Sequence, residues 1–460
     1  MAAEPTSLTV LALARAYRAG ELDPVDVTEA YLSAIDAHPA GELVYRRVTA
    51  ERARRQAQEA SRLLRAGVDT GPLQGVPIAV KDLLDMEGEV SAAGSTVLLE
   101  RPPAEEDAPV VARLDAAGAV FLGRTTMTEL AFSGIGVNPH FGTPPCALDA
   151  ARVPGGSSSG SGVAVASGLA AAALGSDTGG SVRIPASVNG IVGLKTTDGR
   201  IPTEGAVPLS TTLDTLGPLA RDADDAWALF QAMAAEPYRD LTEPPERLVL
   251  LAPTTVLQAE LDPAVERIFG AALERLAALG MEVRTGELPL LAEVQELYGR
   301  FGSFASHEAF ALYEEILKER GDAMDPRVVA RILKVGGRPS ADYIRLGYAR
   351  AALRRRFWPE LAGVDAVIAP TLAILPPRID ALSDDAAYFA ANARMLRNTT
   401  VFNVLASPAA SVPAGASPEG LSVGLMVATR PGEEGLALGI GRRFALAVAG
   451  QGTRATAGES

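Results

Sequence analysis

Serine and lysine carry the chemistry this sequence can offer, and their spacing suggests which. Ser157 and Ser181 stand 24 positions apart, each in a glycine-rich stretch, and Lys81 closes the apolar run Val76-Pro77-Ile78-Ala79-Val80. A serine that attacks a carbonyl needs a base nearby and backbone N–H groups aimed at the developing oxyanion. Asp177-Thr178-Gly179-Gly180-Ser181 is suited to supply those N–H groups, because consecutive glycines let backbone amides converge without Cβ obstruction. A helix start at Ser181 would add the positive end of a dipole, and Pro185 is tolerated only in a first helical turn. Taken alone, Gly-Gly-Ser is also an ordinary turn, and Gly155–Gly162 is also a flexible linker composition. No Gly-Lys-Ser/Thr closes that loop, which argues against a phosphate cradle.

The base is the scarcer part. The three histidines, His38, His140 and His307, are far apart and lack metal-ligand spacing. Gly156-Ser157-Ser158-Ser159-Gly160 has the form of a nucleophile elbow around Ser158, but Leu148–Pro154 has little strand character and only His307 follows. Lysine remains. Of 42 basic residues only Lys81, Lys195, Lys318 and Lys334 are not arginine. Arginine keeps its proton in a protein, whereas a desolvated lysine can lose it. A coding bias toward arginine gives the same composition, and a lysine after a strand is often a solvated turn residue. Lys81, however, sits where open α/β sheets collect their sites, at the carboxyl end of a strand, and burial there lowers its pKa.

At these residues the chain resembles the amidase signature family. The resemblance rests on Gly71–Asp82, on the Gly155–Gly162 loop and on Asp177–Arg183, in that order and with that spacing. It extends strongly over 70–220 and more loosely over 363–446, and Ser159 stands where the family more often has glycine. It implies Ser181 as acyl-enzyme nucleophile, Ser157 as bridging serine and Lys81 as base. A cis peptide between Gly156 and Ser157 is implied as well, together with an oxyanion hole from the N–H groups of Thr178, Gly179, Gly180 and Ser181. Asp177 and Arg183 brace the loops in this reading, and Met127 and Ser158 touch the substrate. The expected reaction is hydrolysis of a small-molecule carboxamide without cofactor or metal. The A subunit of a glutamyl-tRNA amidotransferase and a silent binding protein on the same scaffold are the alternatives. Thr125–Phe132 and Asn138–Gly142 look more like stand-alone amidases.

The elements that must position these residues alternate. Helices are expected from Ser7 to Ala19, after Asp23-Pro24, and from Thr49 to Gly67. Strands are expected at 76–80, 119–122, 247–251, 366–370, 410–413 and 423–427, with helices at 107–117, from Thr125 onward, up to Ser167 and at 436–449. Residues 127–141 and 295–350 are expected to shape the substrate pocket, and the tail from Gly450 to fray. The fold class is α/β: one α/β/α layered domain over residues 1–460 with a mixed central sheet. Its parts are N-terminal helices (about 5–67), a signature core (about 70–220), a helical region (about 235–350) and a strand-helix part (about 363–449).

Composition narrows the setting. A net charge of −14 argues against nucleic acid or an anionic membrane as partner. The single cysteine, Cys146, excludes an internal disulfide framework. Val163–Leu174 is too short to span a bilayer, and no basic cluster precedes an apolar run, so a cytoplasmic protein is expected. Nothing in the sequence decides between a monomer and a homo-oligomer.

Overall fold

The computed structural model describes residues 4–457, with side chains through Val448. Eleven strands form one mixed sheet: β1 (Tyr45–Val48), β2 (Pro77–Lys81), β3 (Val120–Thr125), β4 (Ala172–Asp177), β5 (Val192–Lys195), β6 (Thr215–Ala220), β7 (Val249–Pro253), β8 (Glu282–Gly286), β9 (Ala366–Pro370), β10 (Ala409–Ala416) and β11 (Ser422–Ala428). Their order across the sheet is β1-β3-β2-β4-β6-β5-β10-β11-β9-β7-β8. The triplet β3-β2-β4 is parallel, with Val80 opposite Leu174 and Lys81 opposite Thr125. Every residue of these three strands is buried, as expected for parallel strands covered by helices on both faces. The mixed α/β class read from the sequence is the one observed.

Local signals explain most helix starts. Asp23 accepts from the Val25 N–H and opens Pro24–Ala37, with proline at the first helical position. The first helix begins later than Ser7: Pro5–Ser7 form a short 3₁₀ turn, and Thr9 caps Val10–Ala19. The buried Asp225 carboxylate also accepts from the Val10 and Leu11 N–H groups, at 2.7 and 3.0 Å. At the other end, Glu434–Ala457 is helical past the expected stop at 449, and residues 458–460 lie outside the described chain.

The helix expected from Thr125 onward does not form. Its place is taken by the end of β3 and a three-residue 3₁₀ turn, Glu129–Ala131, in which Leu130 and Ala131 have φ of 49° and 57°. The backbone here bonds outward instead of to itself. Thr126 N–H donates to Val44 and Thr128 N–H to Ser157, while the Thr126 carbonyl accepts from Gly160. The Met127 carbonyl accepts from the Asn138 side chain. Three threonines in four positions favour this extended course, since β-branched side chains lose rotamers in a helix.

Candidate active site

The parallel pairing of β2 with β4 brings Lys81 and Ser176 to the same carboxyl edge of the sheet. Lys81 has no solvent exposure, and its Nζ lies 2.7 Å from Ser157 Oγ and 2.8 Å from Ser176 Oγ. No carboxylate lies within ion-pair distance among the described residues. Burial therefore dominates its titration and lowers the ammonium pKa to about 7, against the weaker pull of Asp177 and Asp214. A neutral amine has one lone pair and two N–H bonds. Here it can accept from Ser157 while donating to Ser176, which is the arrangement a base poised on a serine requires. Ser176 does not stand out in the sequence; its place as penultimate residue of β4, five positions before Ser181, is the available signal.

Ser157 lies in the glycine loop ahead of the helix Ser159–Ala166, and the Gly156–Ser157 peptide is cis. Gly156 must be glycine, since a Cβ there would stand 2.6 Å from the Gly136 nitrogen. The two serine segments are joined directly: Ser158 N–H donates to the Ser181 carbonyl at 3.3 Å. No elbow strand precedes Ser158, and Ser158 Oγ turns to the Ser176 carbonyl at 3.4 Å. Ser158 and Met127 are wholly buried and do not line the cavity next to Ser181.

Ser181 lies between β4 and the helix Arg183–Asn189 and lines, with Thr178 and Gly179, a cavity of about 890 Å³. Gly180 is turned away: its N–H donates to Asp177 Oδ1 at 2.8 Å, and its φ of 134° with Thr399 Oγ1 2.2 Å from any Cβ admits only glycine. The N–H groups of Thr178, Gly179 and Ser181 donate to no protein acceptor among the described residues. Neighbours grip the loop between them. Thr399 and Thr400 hydroxyls donate to the Gly179 carbonyl, and Thr178 Oγ1 donates to Asp214 at 2.5 Å. Burial raises the Asp214 pKa to about 6, opposed by Thr178 and by the Ser210 and Leu209 N–H groups.

Asp177 and Arg183 brace this loop. Both are wholly buried, and Arg183 spans the carboxylate with bonds of 2.9 and 3.0 Å while donating also to the Asn403 side chain and the Thr399 carbonyl. Burial alone would raise the Asp177 carboxyl, but the Arg183 charge and hydrogen bonds reverse this and hold it far below the carboxylate range. Of the expected pocket walls, Ala131–Ser133 and parts of 295–338 do line the cavity; the helix Asp385–Val404 also lines it, through 389–401, which the sequence does not suggest. Among the described residues no group of three His, Cys, Asp or Glu side chains is placed to hold a metal ion.

Comparison with known proteins places this geometry. A model of the Amidase family matches residues 26–438. The chain belongs to the amidase family. It is 38% identical to a 2-amino-5-chloromuconic acid deaminase of Comamonas testosteroni over 85% of this chain and 86% of that protein. It is 33% identical to the A subunit of the glutamyl-tRNA(Gln) amidotransferase of Symbiobacterium thermophilum, over 92% and 93%. A solved amidase structure superimposes with a TM-score of 0.86 at 34% identity, covering 95% of this chain and 99% of its own. Family and neighbours together make the amidase an amide-hydrolysing enzyme.

Proposed function

We propose that this amidase cleaves the C–N bond of a small-molecule carboxamide through an acyl-enzyme, with Ser181 as nucleophile, Ser157 as proton relay and Lys81 as base. One observation carries the reading: a wholly buried lysine, its pKa lowered to about 7 so that much of it is the free amine at neutral pH, holds a hydroxyl of the glycine loop and no carboxylate. Ser181 Oγ forms a bond to the carbonyl carbon as its proton passes through Ser157 to Lys81. The oxyanion accepts from the N–H groups that Thr178, Gly179 and Ser181 leave free, while Gly180, spent on Asp177, keeps the loop's shape. The C–N bond then breaks, and the proton returns by the same route to the departing amine. Water repeats the attack on the ester, releasing the acid and restoring Ser181.

The relatives divide between a deaminase and a subunit of an amidotransferase. We favour a stand-alone, cytoplasmic enzyme, since Thr125–Phe132 and Asn138–Gly142 resemble stand-alone amidases; in addition, no described helix is long and apolar enough to cross a membrane. The purified chain, given a simple amide without ATP or partner, should release ammonia or amine. A fluorophosphonate should label Ser181 and fail to label Ser181→Ala. Hydrolysis only with added subunits would favour the amidotransferase reading, and an unlabelled parent protein would favour a silent scaffold.

A further inference from the structure

The cavity beside Ser181 is walled on another side by the helices Pro326–Leu333 and Asp385–Val404 and their flanks, and these bring charge. Arg331, Lys334, Arg338, Arg394 and Arg397 line it against one carboxylate, Glu260. That excess is unexpected in a chain of net charge −14. Two of the cations are neutralised locally, Arg394 by Asp262 at 3.2 Å and Arg338 by Asp342 at 3.5 Å. Arg331 and Arg397 form no ion pair among the described residues. The buried arginines Arg124, Arg183 and Arg350 are each paired with an aspartate, and half-buried Arg113 and Arg221, which lack an ion pair among the described residues, spend their N–H groups on backbone carbonyls.

Both guanidinium groups are held in place without being neutralised. Arg331 lies over the Phe132 ring, 4.1 Å from its centroid, and donates one N–H to the Phe132 carbonyl. Stacking and hydrogen bond fix its plane and leave the rest of the fork unsatisfied. Burial without a counter-charge lowers its pKa to about 10. Arg397 donates from Nε to Asn398 at 3.1 Å, and its Nη2 is buried with no acceptor. Glu260 acts on Arg397 only from beyond ion-pair distance. Desolvating a charge is costly unless it is paired, so a partner that arrives with the ligand is the natural completion.

Building on the hydrolase reading above, we propose that this cavity selects amides that carry a carboxylate, bound by Arg331 and Arg397 while the scissile carbonyl lies at Ser181. A carboxylate offers the two coplanar oxygens that a guanidinium fork matches. Arg331, Arg397 and Lys334, none of them in an ion pair among the described residues, face the single carboxylate of Glu260, so this wall keeps a positive excess that an anionic group on the ligand offsets.

The test uses binding, so that it does not depend on turnover. Calorimetry on Ser181→Ala would compare two anilides with the same five-carbon acyl chain, one ending in a carboxylate and one in a methyl. The acid should bind about ten- to a hundredfold more tightly. Arg331→Gln and Arg397→Gln, each added to Ser181→Ala, should bring that ratio toward one, while Arg331→Lys, keeping the charge without the fork, should retain part of it. Equal affinity for the two anilides overturns the inference, as does a ratio that survives both glutamine variants. A phosphonate-ended anilide that binds more tightly than the acid overturns the assignment to a carboxylate. If the protein with Ser181 intact turned over neither anilide nor any simple amide, the hydrolase reading would fall instead, whatever the binding ratio.

Discussion

Two lysines of this chain are wholly buried, and their surroundings are built on opposite principles. Lys195, at the end of β5, donates to the Thr196 and Ser407 carbonyls at 2.8 and 3.2 Å and meets Asp198 at 3.4 Å. Burial lowers its pKa too, but Asp198 opposes that, and the carbonyls can only accept from it. Lys81, at the end of β2, meets hydroxyls, which both donate and accept. The first arrangement secures a charged cross-link between strand and loop. The second leaves a neutral amine free to take a proton. Burial alone does not make a base; the partner's ability to give up a proton does.

The comparison breaks most readily on activity. Lys81→Met should lower kcat/KM for a neutral amide by about 10³-fold or more, while Lys195→Met stays within about tenfold. Similar losses in steady-state assays of both variants would erase the distinction. Next in size is the brace behind Ser181. Asp177→Asn leaves Arg183 buried beside a neutral amide and should cost about 3–5 kcal/mol in chemical denaturation. Unchanged stability would mean that the loop is held by the threonine contacts alone. Third, Lys195→Met strands the two carbonyls and should cost about 1–3 kcal/mol, more than Lys81→Met, whose hydroxyl partners can rotate toward other acceptors.

The finest test is pH. Only the unprotonated Lys81 can act, so kcat/KM should be flat above its pKa of about 7 and fall about tenfold per pH unit below it. Ser176→Ala removes an acceptor that stabilises the ammonium more than the amine. It should move this limb to lower pH and reduce the rate about tenfold, whereas a merely structural role would lower the rate without moving the limb. An intact profile with no limb between pH 5 and 9 would exclude Lys81 as the titrating base.

Much of the local structure around the candidate site was legible because it depends on neighbouring residues. The run Val76–Val80 had to be a buried strand, and the glycines at 155, 156 and 180 mark backbone that no side chain could share. What failed to read was whatever depended on distant partners. Thr125–Phe132 carries apolar residues at helical intervals, yet its carbonyls and N–H groups are taken by Val44, Gly160 and Ser157. Met127, expected to face substrate, lies in the core; Gly180, expected as an oxyanion donor, is tied to Asp177. Arg331 and Arg397 drew no notice among 38 arginines, since nothing in their local sequence says that they lack a counter-charge.

The resemblance carried by three sequence motifs pointed to the family, while residue types and spacing gave the mixed α/β class and a short list of groups able to move a proton, because chain stiffness, glycine freedom and side-chain chemistry act over a few residues. Tertiary structure alone decided how far burial lowers the Lys81 pKa, which N–H groups are free at Ser181 and the unpaired charge of the cavity wall. These depend on how much water is excluded and on which group, hundreds of positions away, arrives to share a hydrogen bond or a charge.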